Sequence, residues 1–303
     1  MGGVMKVIVP PIKSQGIKTK LVPIILQLMP IFHGRWIEPF LGTGVAAFNS
    51  GADKALLVDI NPHIINFYRR LQSGEITPNK IRDFLYIEGQ KLRESPDDGN
   101  EYYKTVRSRF NSNFDSLDFL FLSRAGFNGM MRFNRRGEWN IPFCKKPERF
   151  TKSYITKIVH QSENCLAKMT TEWIIDNKDF RDIIPLATKD DLIYCDPPYA
   201  GRYVDYYSGW TEKDEMDLFE LLKTTPAKFI LSSWHHNEFR SNENIRKYEK
   251  NFNVLTHDHF YFAGAYEHNR NAVVEALVLN FDPPKKEVAQ QLDLFPEYIK
   301  IPS

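Results

Sequence analysis

The sequence of 303 residues is poor in the features that mark several protein classes. It has three cysteines, Cys144, Cys165 and Cys195, which are odd in number and lack metal-ligand spacing, so neither a disulfide framework nor a zinc site is predicted. No apolar run reaches the ~18 residues that a membrane-spanning helix needs. The first nine residues are too short and too lightly charged for a secretory signal. We therefore expect reduced thiols, no membrane partner and a cytoplasmic protein.

Metal-binding patterns are missing as well. Four histidines stand close together in two pairs, His235 with His236 and His257 with His259. None of them forms a ligand set with a cysteine or an acid at a recognised spacing. We therefore predict no metal site.

Net charge is also small, only +2, but the charge is unevenly distributed. Residues 124–152 hold eight basic residues and two acids, a local charge of +6, together with the aromatic residues Phe127, Phe133, Trp139 and Phe143. Basic side chains reach phosphates, while arginine, asparagine and aromatic side chains read base edges or wedge between bases. The segment therefore predicts a nucleic-acid contact, and an ordinary charged hairpin is the alternative.

Short apolar runs that lead into an acid alternate with helical segments at both ends of the chain. The runs are residues 35–38 ending in Glu38, 55–58 before Asp59, 171–176 before Asp179, and 192–195 before Asp196. Strands separated by helices are typical of a parallel sheet, and ligands of such sheets bind at the carboxyl ends of the strands. We predict an α/β fold with a Rossmann-like sheet, in which a helix opens after Gly44.

Between residues 74 and 150 the alternation of strand and helix is lost. Helical patches occupy residues 81–92, 101–110 and 116–123, and the turn at Arg135-Arg-Gly is typical of a β-hairpin tip. We predict a catalytic domain of residues 1–72 and 151–281, a mostly helical inserted recognition domain of residues 73–150, and a loose tail of residues 282–303.

The most informative stretch is residues 191–199, Asp-Leu-Ile-Tyr-Cys-Asp-Pro-Pro-Tyr. A buried strand stops at Asp196, and Pro197 and Pro198 make a rigid corner without amide donors. The carboxylate of Asp196 and the carbonyl of Pro197 can accept the two N–H bonds of an exocyclic amine, and Tyr199 can stack on its ring. The alternative is a strand that ends in a proline turn with a solvated acid.

A second motif, residues 38–44, reads Glu-Pro-Phe-Leu-Gly-Thr-Gly. It lacks the third glycine of the dinucleotide fingerprint, and Glu38 disfavours a pyrophosphate while tolerating a cation. Asp59 stands where a carboxylate takes both ribose hydroxyls of an adenosine cofactor. We infer a positively charged nucleoside such as S-adenosylmethionine. A basic loop with Lys13 and Lys18 precedes a predicted helix at residues 21–29, and it suits either anionic groups or plain solvation.

These motifs, in this order, resemble the DNA adenine-N6 methyltransferase (Dam) family in its alpha-group arrangement, over residues 10–281. The resemblance implies a bacterial or phage-type enzyme that acts at the nucleoid and transfers a methyl group from S-adenosylmethionine to N6 of an adenine flipped out of double-stranded DNA. It does not separate a restriction-modification enzyme from one that acts alone, and it fixes neither the recognition sequence nor the oligomeric state.

The resemblance also implies site residues. The cofactor residues are Lys18, Glu38, Pro39, Phe40, Gly42, Gly44, Asp59, Asp179 and Phe180. The DNA-binding residues are Lys13, Arg124, Phe127, Asn128, Met130, Arg132, Asn134 and Arg136, with Phe127 as a wedge that helps base flipping. The catalytic residues are Asp196, Pro197, Pro198 and Tyr199. The sequence departs from the family in the first loop, residues 10–20, where Ser14 and Ile17 replace a usual tryptophan and glycine.

Three other functions use parts of the same pattern. Cytosine N4 is also an exocyclic amine, although that group of enzymes more often has Ser-Pro-Pro-Tyr. Methylation of RNA or of a protein amide needs the same chemistry but does not explain the basic hairpin. A DNA-binding module without activity explains the hairpin but leaves the four strand-end acids without a role.

The tail carries Gln291 and then three apolar residues that end at Phe295. This stretch resembles the pentapeptide with which bacterial DNA-handling proteins bind the replication sliding clamp. A chain end that packs on its own domain is the alternative.

Overall fold

The apolar runs of the sequence form the strands of one sheet in the part of the chain that the computed structural model describes, residues 6–198, 209–237, 241–260, 272–283 and 299–300. Its eight strands are β1 (Trp36–Glu38), β2 (Ala55–Val58), β3 (Trp173–Asp176), β4 (Leu192–Cys195), β5 (Lys228–Asn237), β6 (Asn253–Phe260), β7 (Ala272–Leu279) and β8 (Ile299–Lys300). Their order across the sheet is β3-β2-β1-β4-β5-β7-β6-β8.

Strands β3, β2, β1, β4 and β5 are parallel, whereas β7 lies antiparallel between β5 and β6. In the centre, Ile37 of β1 lies in register with Leu56 of β2 and with Ile193 of β4. The chain order therefore reverses at β1, which has β2 on one side and β4 on the other. In an open α/β sheet, ligands bind at the carboxyl ends of the strands beside such a switch point.

Helices cover both faces of the sheet. They are α1 (Val22–Leu28), α2 (Pro62–Gln72), α3 (Pro78–Glu94), α4 (Asn100–Asn113), α5 (Ser116–Ala125), α6 (Lys152–Leu166), α7 (Phe180–Ile183), α8 (Glu212–Thr224) and α9 (Ile245–Glu249). Successive strand residues point to opposite faces, so Trp36 packs with α1 to α6 and Ile37 packs with α7 to α9. The predicted α/β sheet is confirmed. None of the helices in the described ranges is both long and apolar enough to cross a membrane.

The segment between β2 and β3 forms the predicted helices and hairpin turn. Helices α3, α4 and α5 cover the three helical patches, and Phe133 bridges Trp139 across the turn. The N–H of Asn134 donates to the carbonyl of Glu138 (2.9 Å), which closes the turn. Buried residues of this segment, Phe119 among them, belong to the same apolar cluster as the face of β1 that carries Trp36. The core is therefore continuous across the predicted domain boundaries, and the division into domains stays a prediction.

One local prediction is wrong. The expected helix after Gly44 is only a short 3₁₀ turn, Ala47–Asn49. The Asn49 amide donates to the Val45 and Ile8 carbonyls (2.7 and 2.9 Å), so the side chain competes with the helical hydrogen bonds. In the described part of the tail, β8 pairs with β6 through Leu255 opposite Lys300, and the loose tail stays a prediction. The predicted docking stretch, residues 291–295, lies outside the described residues.

Candidate active site

A cavity of about 310 Å³ opens at the carboxyl ends of β1, β2 and β4. Asp196 and Pro198 line it together with Phe40, Gly42 and Asp59. These residues come from two motifs that are far apart in the chain, and both motifs follow parallel neighbouring strands. The fold therefore places the proposed amine-binding corner and the proposed cofactor loop in one cavity, as the sequence predicts.

Asp196 stands in a mostly buried, charged environment. Its Oδ1 lies 3.3 Å from Nζ of Lys18, whose side chain is 8% exposed, while that of Asp196 is 23% exposed. Burial raises the pKa of Asp196 to about 6, opposed by the Lys18 ammonium and reinforced by the negative charge of Glu275. The carboxyl group is thus mostly ionised at neutral pH and can accept hydrogen bonds there. Pro197 is buried, and Tyr199 lies outside the described residues.

The loop after β1 is shaped by two glycines and fixed to Asp59. Gly42 and Gly44 have φ of +50° and +75°, a backbone conformation that residues with a Cβ disfavour. A Cβ on Gly44 would also meet Phe48 at 2.8 Å. The N–H of Gly42 donates to Oδ2 of Asp59 (2.8 Å), and that of Asn61 donates to Oδ1 (2.8 Å). The carboxylate of Asp59 is therefore held in a fixed orientation at the cavity wall.

Glu38 lies behind this wall, at the end of β1. Its side chain is only 2% exposed and accepts a hydrogen bond from Nε1 of Trp36 (2.8 Å). Burial raises the pKa of Glu38 well above its usual range, and the charges of Asp196 and Asp59 raise it further. Three acids therefore lie close together at the strand ends, an environment that favours a cationic ligand over an anionic one. Gly44 and Lys18 also lie behind the lining residues rather than among them.

Three aromatic rings form one wall of the cavity. The ring centroids of Phe40 and Phe180 are 5.3 Å apart, and that of Trp210 is 5.6 Å from both. Nε1 of Trp210 donates to Oε2 of Glu215 (2.9 Å), which fixes the indole against the first turn of α8. Sequence reasoning missed Trp210. The available signal was an aromatic residue immediately before a helix N-cap, since Thr211 forms a capping box with Asp214.

Asp179 also lines the cavity, as predicted, but it is already engaged. It caps α7 by accepting the N–H of Arg181 (2.9 Å), and it pairs with the guanidinium of the same residue (3.1 Å). Arg181 is further held by Asp214 and Asp217, and it covers the Phe180 ring at 4.4 Å. This arrangement holds the Phe180 ring of the aromatic wall in place.

The predicted DNA contacts meet the cavity at its rim. Met130 and Arg132 line it, and Nε of Arg132 donates to Oδ1 of Asn140 (2.8 Å). The Lys13 chain packs along Gly129, where an added Cβ would lie 3.0 Å from the Lys13 Cε. The first loop and the turn that begins at Phe127 therefore form one surface.

Other predicted DNA residues lie further out along the same surface. The side chain of Phe127 is 43% exposed, and Asn128 next to it is exposed with φ of +51°. Arg136 projects from the hairpin tip with 80% of its side chain exposed and pairs with Glu138. Asn134 instead uses its amide within the turn, donating to Oε2 of Glu138 (2.6 Å). Asn134 thus shapes the hairpin that presents Arg136.

Arg124 does not fit the DNA contact predicted for it. It is 6% exposed and donates to the carbonyl of Pro11 (2.6 Å), to that of Pro10 (3.4 Å) and to Oε1 of Gln161 (2.6 Å). The basic composition of the segment suggested a surface residue, but nearly all of α5 is buried. Arg124 is corrected to a structural residue that ties α5 to the first loop and to α6.

The strand order and the site together define a class of protein. The sheet has five parallel strands, and antiparallel β7 is inserted between β5 and β6. Acids stand at the strand ends, and a ligand cavity lies at the switch point. These features are typical of the Rossmann-like methyltransferases that use S-adenosylmethionine. Residues 14–262 match the family of D12 class N6 adenine-specific DNA methyltransferases, and the chain belongs to that family. The predicted family and its adenine-N6 class of activity are confirmed, and the cytosine-N4 alternative is not supported.

Relatives of known name agree. The DNA adenine methylase of Haemophilus influenzae is 33% identical over 198 residues, which are 63% of this chain and 64% of that protein. The DNA adenine methylase of Vibrio cholerae is 31% identical over 225 residues, 71% of this chain and 76% of that one. The type II methyltransferase M1.LlaDCHI of Lactococcus lactis is 25% identical over 285 residues, which are 89% of this chain and 94% of that protein.

Among solved structures, the rRNA methyltransferase aviRa of Streptomyces viridochromogenes superimposes with a TM-score of 0.36 at 10% identity. It covers 91% of this chain and 90% of its own. That likeness is too weak to support an argument, and the fold assignment rests on the strand order.

Proposed function

We propose that this protein transfers the methyl group of S-adenosylmethionine to N6 of an adenine flipped out of double-stranded DNA. The observation that supports the proposal best is the cavity that Asp196 shares with Phe40, Gly42 and Asp59. An acceptor for the amine and a pocket for a nucleoside thus lie side by side. Residues 73–150 serve as the target-recognition part in this proposal.

The residues around the cavity fit S-adenosylmethionine. Two backbone donors orient Asp59, whose remaining lone pairs can accept the ribose hydroxyls. The wall of Phe40, Phe180 and Trp210 offers aromatic surface to the purine. The acids at the strand ends favour the positive charge of the sulfonium. When bound, this cofactor supplies an electrophilic methyl group.

The corner at Asp196 prepares the amine to receive the methyl group. Adenine N6 is a poor nucleophile because its lone pair is drawn into the ring. Hydrogen bonds from its two protons to the Asp196 carboxylate and the Pro197 carbonyl favour a tetrahedral nitrogen with a localised lone pair. The carboxylate, whose side chain is 23% exposed, also stabilises the positive charge that develops on the nitrogen. Tyr199 remains the predicted stacking partner of the base.

DNA reaches this corner across the surface formed by the first loop and the hairpin. An amine inside a duplex is inaccessible, so the base must leave the stack at a cost of a few kcal/mol. Phe127, with 43% of its side chain exposed, is suited to fill the gap that the base leaves. Lys13, Asn128, Met130, Arg132 and Arg136 supply contacts to bases and phosphates around it. Relatives include proteins named as DNA adenine methylases and as type II methyltransferases, and either role fits this site.

The test is incubation with labelled S-adenosylmethionine and duplex DNA, followed by digestion to nucleosides. The label should appear in N6-methyladenine. Asp196→Ala should abolish transfer yet still bind S-adenosylhomocysteine, measured by calorimetry. Asp190→Ala, which removes an exposed acid shortly before the same strand, is the matched control and should stay active. Label in N4-methylcytosine, or turnover that survives in Asp196→Ala, would overturn the proposal.

We further propose that the tail docks on the replication sliding clamp through residues 291–295. The support is the sequence pattern alone, a glutamine followed by apolar anchors. Binding of purified clamp should be lost when Leu294 and Phe295 are both changed to alanine, with Asp293→Ala as the control. Equal affinity of all three proteins would dismiss the idea.

A further inference from the structure

A buried lysine connects the catalytic aspartate with a second carboxylate. Nζ of Lys18 lies 3.3 Å from Oδ1 of Asp196 and 3.9 Å from Oε1 of Glu275. The side chains of Lys18 and Glu275 are 8% and 2% exposed. The three groups come from the first loop, from the corner after β4 and from β7, so only the folded sheet brings them together.

Glu275 is an unusual residue for its place in the sheet. It lies on β7 between β5 and β6, in register with Trp234 and His257, and the next residues along the strand are apolar and buried. A buried carboxylate is destabilising unless it is paired, and a hydrophobic residue would often fill such a position with no loss of stability. Its closeness to Lys18 and Asp196 therefore points to the reaction rather than to the core.

The charge balance of the three groups explains why a second acid is useful. Lys18 keeps the mostly buried Asp196 ionised, but an unbalanced ammonium at 3.3 Å would also cancel the negative charge that the amine needs. With Glu275 present, the three ionised groups sum to a charge of −1. The cluster can then both accept the amine hydrogens and stabilise the cation that forms on nitrogen.

We propose that Glu275 is a positioning residue for methyl transfer, which shares the Lys18 ammonium with Asp196 and so leaves the cluster of three groups with a net negative charge toward the amine. The inference rests on the proposed function and deepens it. Glu275 raises the pKa of Asp196 whereas Lys18 lowers it, so a variant without the Glu275 charge should keep Asp196 ionised to lower pH. In the described part of the chain, the other titratable groups around Asp196 are Glu38, Tyr194 and Cys195, and His257 is the register partner of Glu275.

The experiment is a single-turnover methylation assay from pH 5 to pH 9, with saturating cofactor and duplex DNA. Glu275→Gln should lower the plateau rate about tenfold or more, because a compensating charge next to the reacting centre is lost. It should also move the acid limb, the part of the pH–rate profile where the rate falls as the pH drops, to lower pH. The reason is that a negative neighbour of Asp196 has been removed. Affinity for S-adenosylhomocysteine should change less than about twofold, since Glu275 does not line the cavity.

Glu88→Gln is the matched control. Glu88 is 4% exposed and pairs with Arg109 far from the cavity, so this variant should lose stability without moving the acid limb. If Glu275 acts through Lys18, the effect of Glu275→Gln on the acid limb and on the plateau should also differ in a Lys18→Met background. Glu275→Asp, which keeps the charge but draws it back from Lys18, should shift the limb in the same direction by less, and it replaces Glu275→Gln should that variant not fold.

The outcomes separate the two proposals. Wild-type protein that makes no N6-methyladenine would refute the proposed function itself. Active wild type with an acid limb and plateau that are the same in Glu275→Gln would refute the role of Glu275 alone. A lower plateau with an unmoved limb, together with a lowered melting temperature as in Glu88→Gln, would reduce Glu275 to a structural residue.

Discussion

Removal of the Lys18 ammonium should move the acid limb of methyl transfer toward higher pH. Asp196 has a pKa of about 6 with Lys18 in place at 3.3 Å, and the ammonium is what holds it that low against burial and against Glu275. An opposite charge at this distance lowers a carboxyl pKa by about 1–3 units. Lys18→Met, which keeps an unbranched side chain of nearly the same length, should therefore shift the midpoint of the limb upward by about that amount.

The sign follows from the form of Asp196 that is active. The ionised carboxylate accepts the amine hydrogens, so activity is present above its pKa and lost as the pH falls through it. At pH 7 the ionised fraction should drop from about nine-tenths in the wild type to half or less in Lys18→Met. Much of the lost rate should return at pH 9, where about half or more of Asp196 is again ionised.

The measurement is the single-turnover rate against pH, as for Glu275. Lys20→Met removes a charge from the same loop at an exposed position, so its acid limb should stay near that of the wild type. A limb that remains at about pH 6 in Lys18→Met would show that the ammonium does not set the ionisation of Asp196. The charge argument for Glu275 would then fail as well.

Three further predictions concern the pocket, the DNA surface and the fold. Trp210→Leu should weaken S-adenosylhomocysteine binding about tenfold in calorimetry, because aromatic contact with the purine is lost. Tyr86→Leu, at an exposed position on α3, is the control and should bind as the wild type does. Equal affinities of Trp210→Leu and the wild type would remove Trp210 from the pocket. Arg132→Ala should reduce the discrimination between the preferred site and substituted sites by about 1–3 kcal/mol, measured as the ratio of their methylation rates. Arg82→Ala, at an exposed position, is the control. An equal loss of rate at all sites would mean that Arg132 only holds phosphate. His63 is 5% exposed, and burial lowers its pKa to about 4, so the unfolded chain takes up the proton first and stability falls as the pH drops below 6.5. Relative to His63→Phe, the wild type should lose about 3 kcal/mol of unfolding free energy between pH 7 and pH 4 in denaturant titrations; parallel curves would contradict this.

Much of the site could be predicted because parallel strands place their carboxyl ends at one edge. Knowing only that Asp59 and Asp196 follow buried runs was enough to expect both at the same cavity, and both line it. Helices α3 and α4 of the insertion were equally predictable, because their apolar spacing reflects a single buried face, whereas nearly all of α5 is buried. These inferences need the local pattern and the direction of the strands, not the register between distant segments.

The rest depended on contacts between distant segments. Glu275 meets Lys18 only because β7 enters the sheet antiparallel between β5 and β6, and no local pattern shows that order. Arg124 was misplaced because composition assigns a basic residue to the surface, while its partners are carbonyls of the first loop. Trp210 was missed because a lone aromatic residue before a helix cap has many possible neighbours.

The first loop touches both the recognition turn and the catalytic aspartate. The N–H of Gln15 donates to the carbonyl of Gly129 (2.9 Å), and three residues later Lys18 reaches Asp196, with its own carbonyl fixed by the first N–H groups of α1. A short stretch of backbone thus joins the part that inspects the DNA to the charge that tunes the chemistry. A mismatched site that displaces the turn would be expected to disturb the ammonium as well. The protein would then discriminate against a mismatched site through the rate at which the flipped base is modified, and not only through its affinity for the duplex.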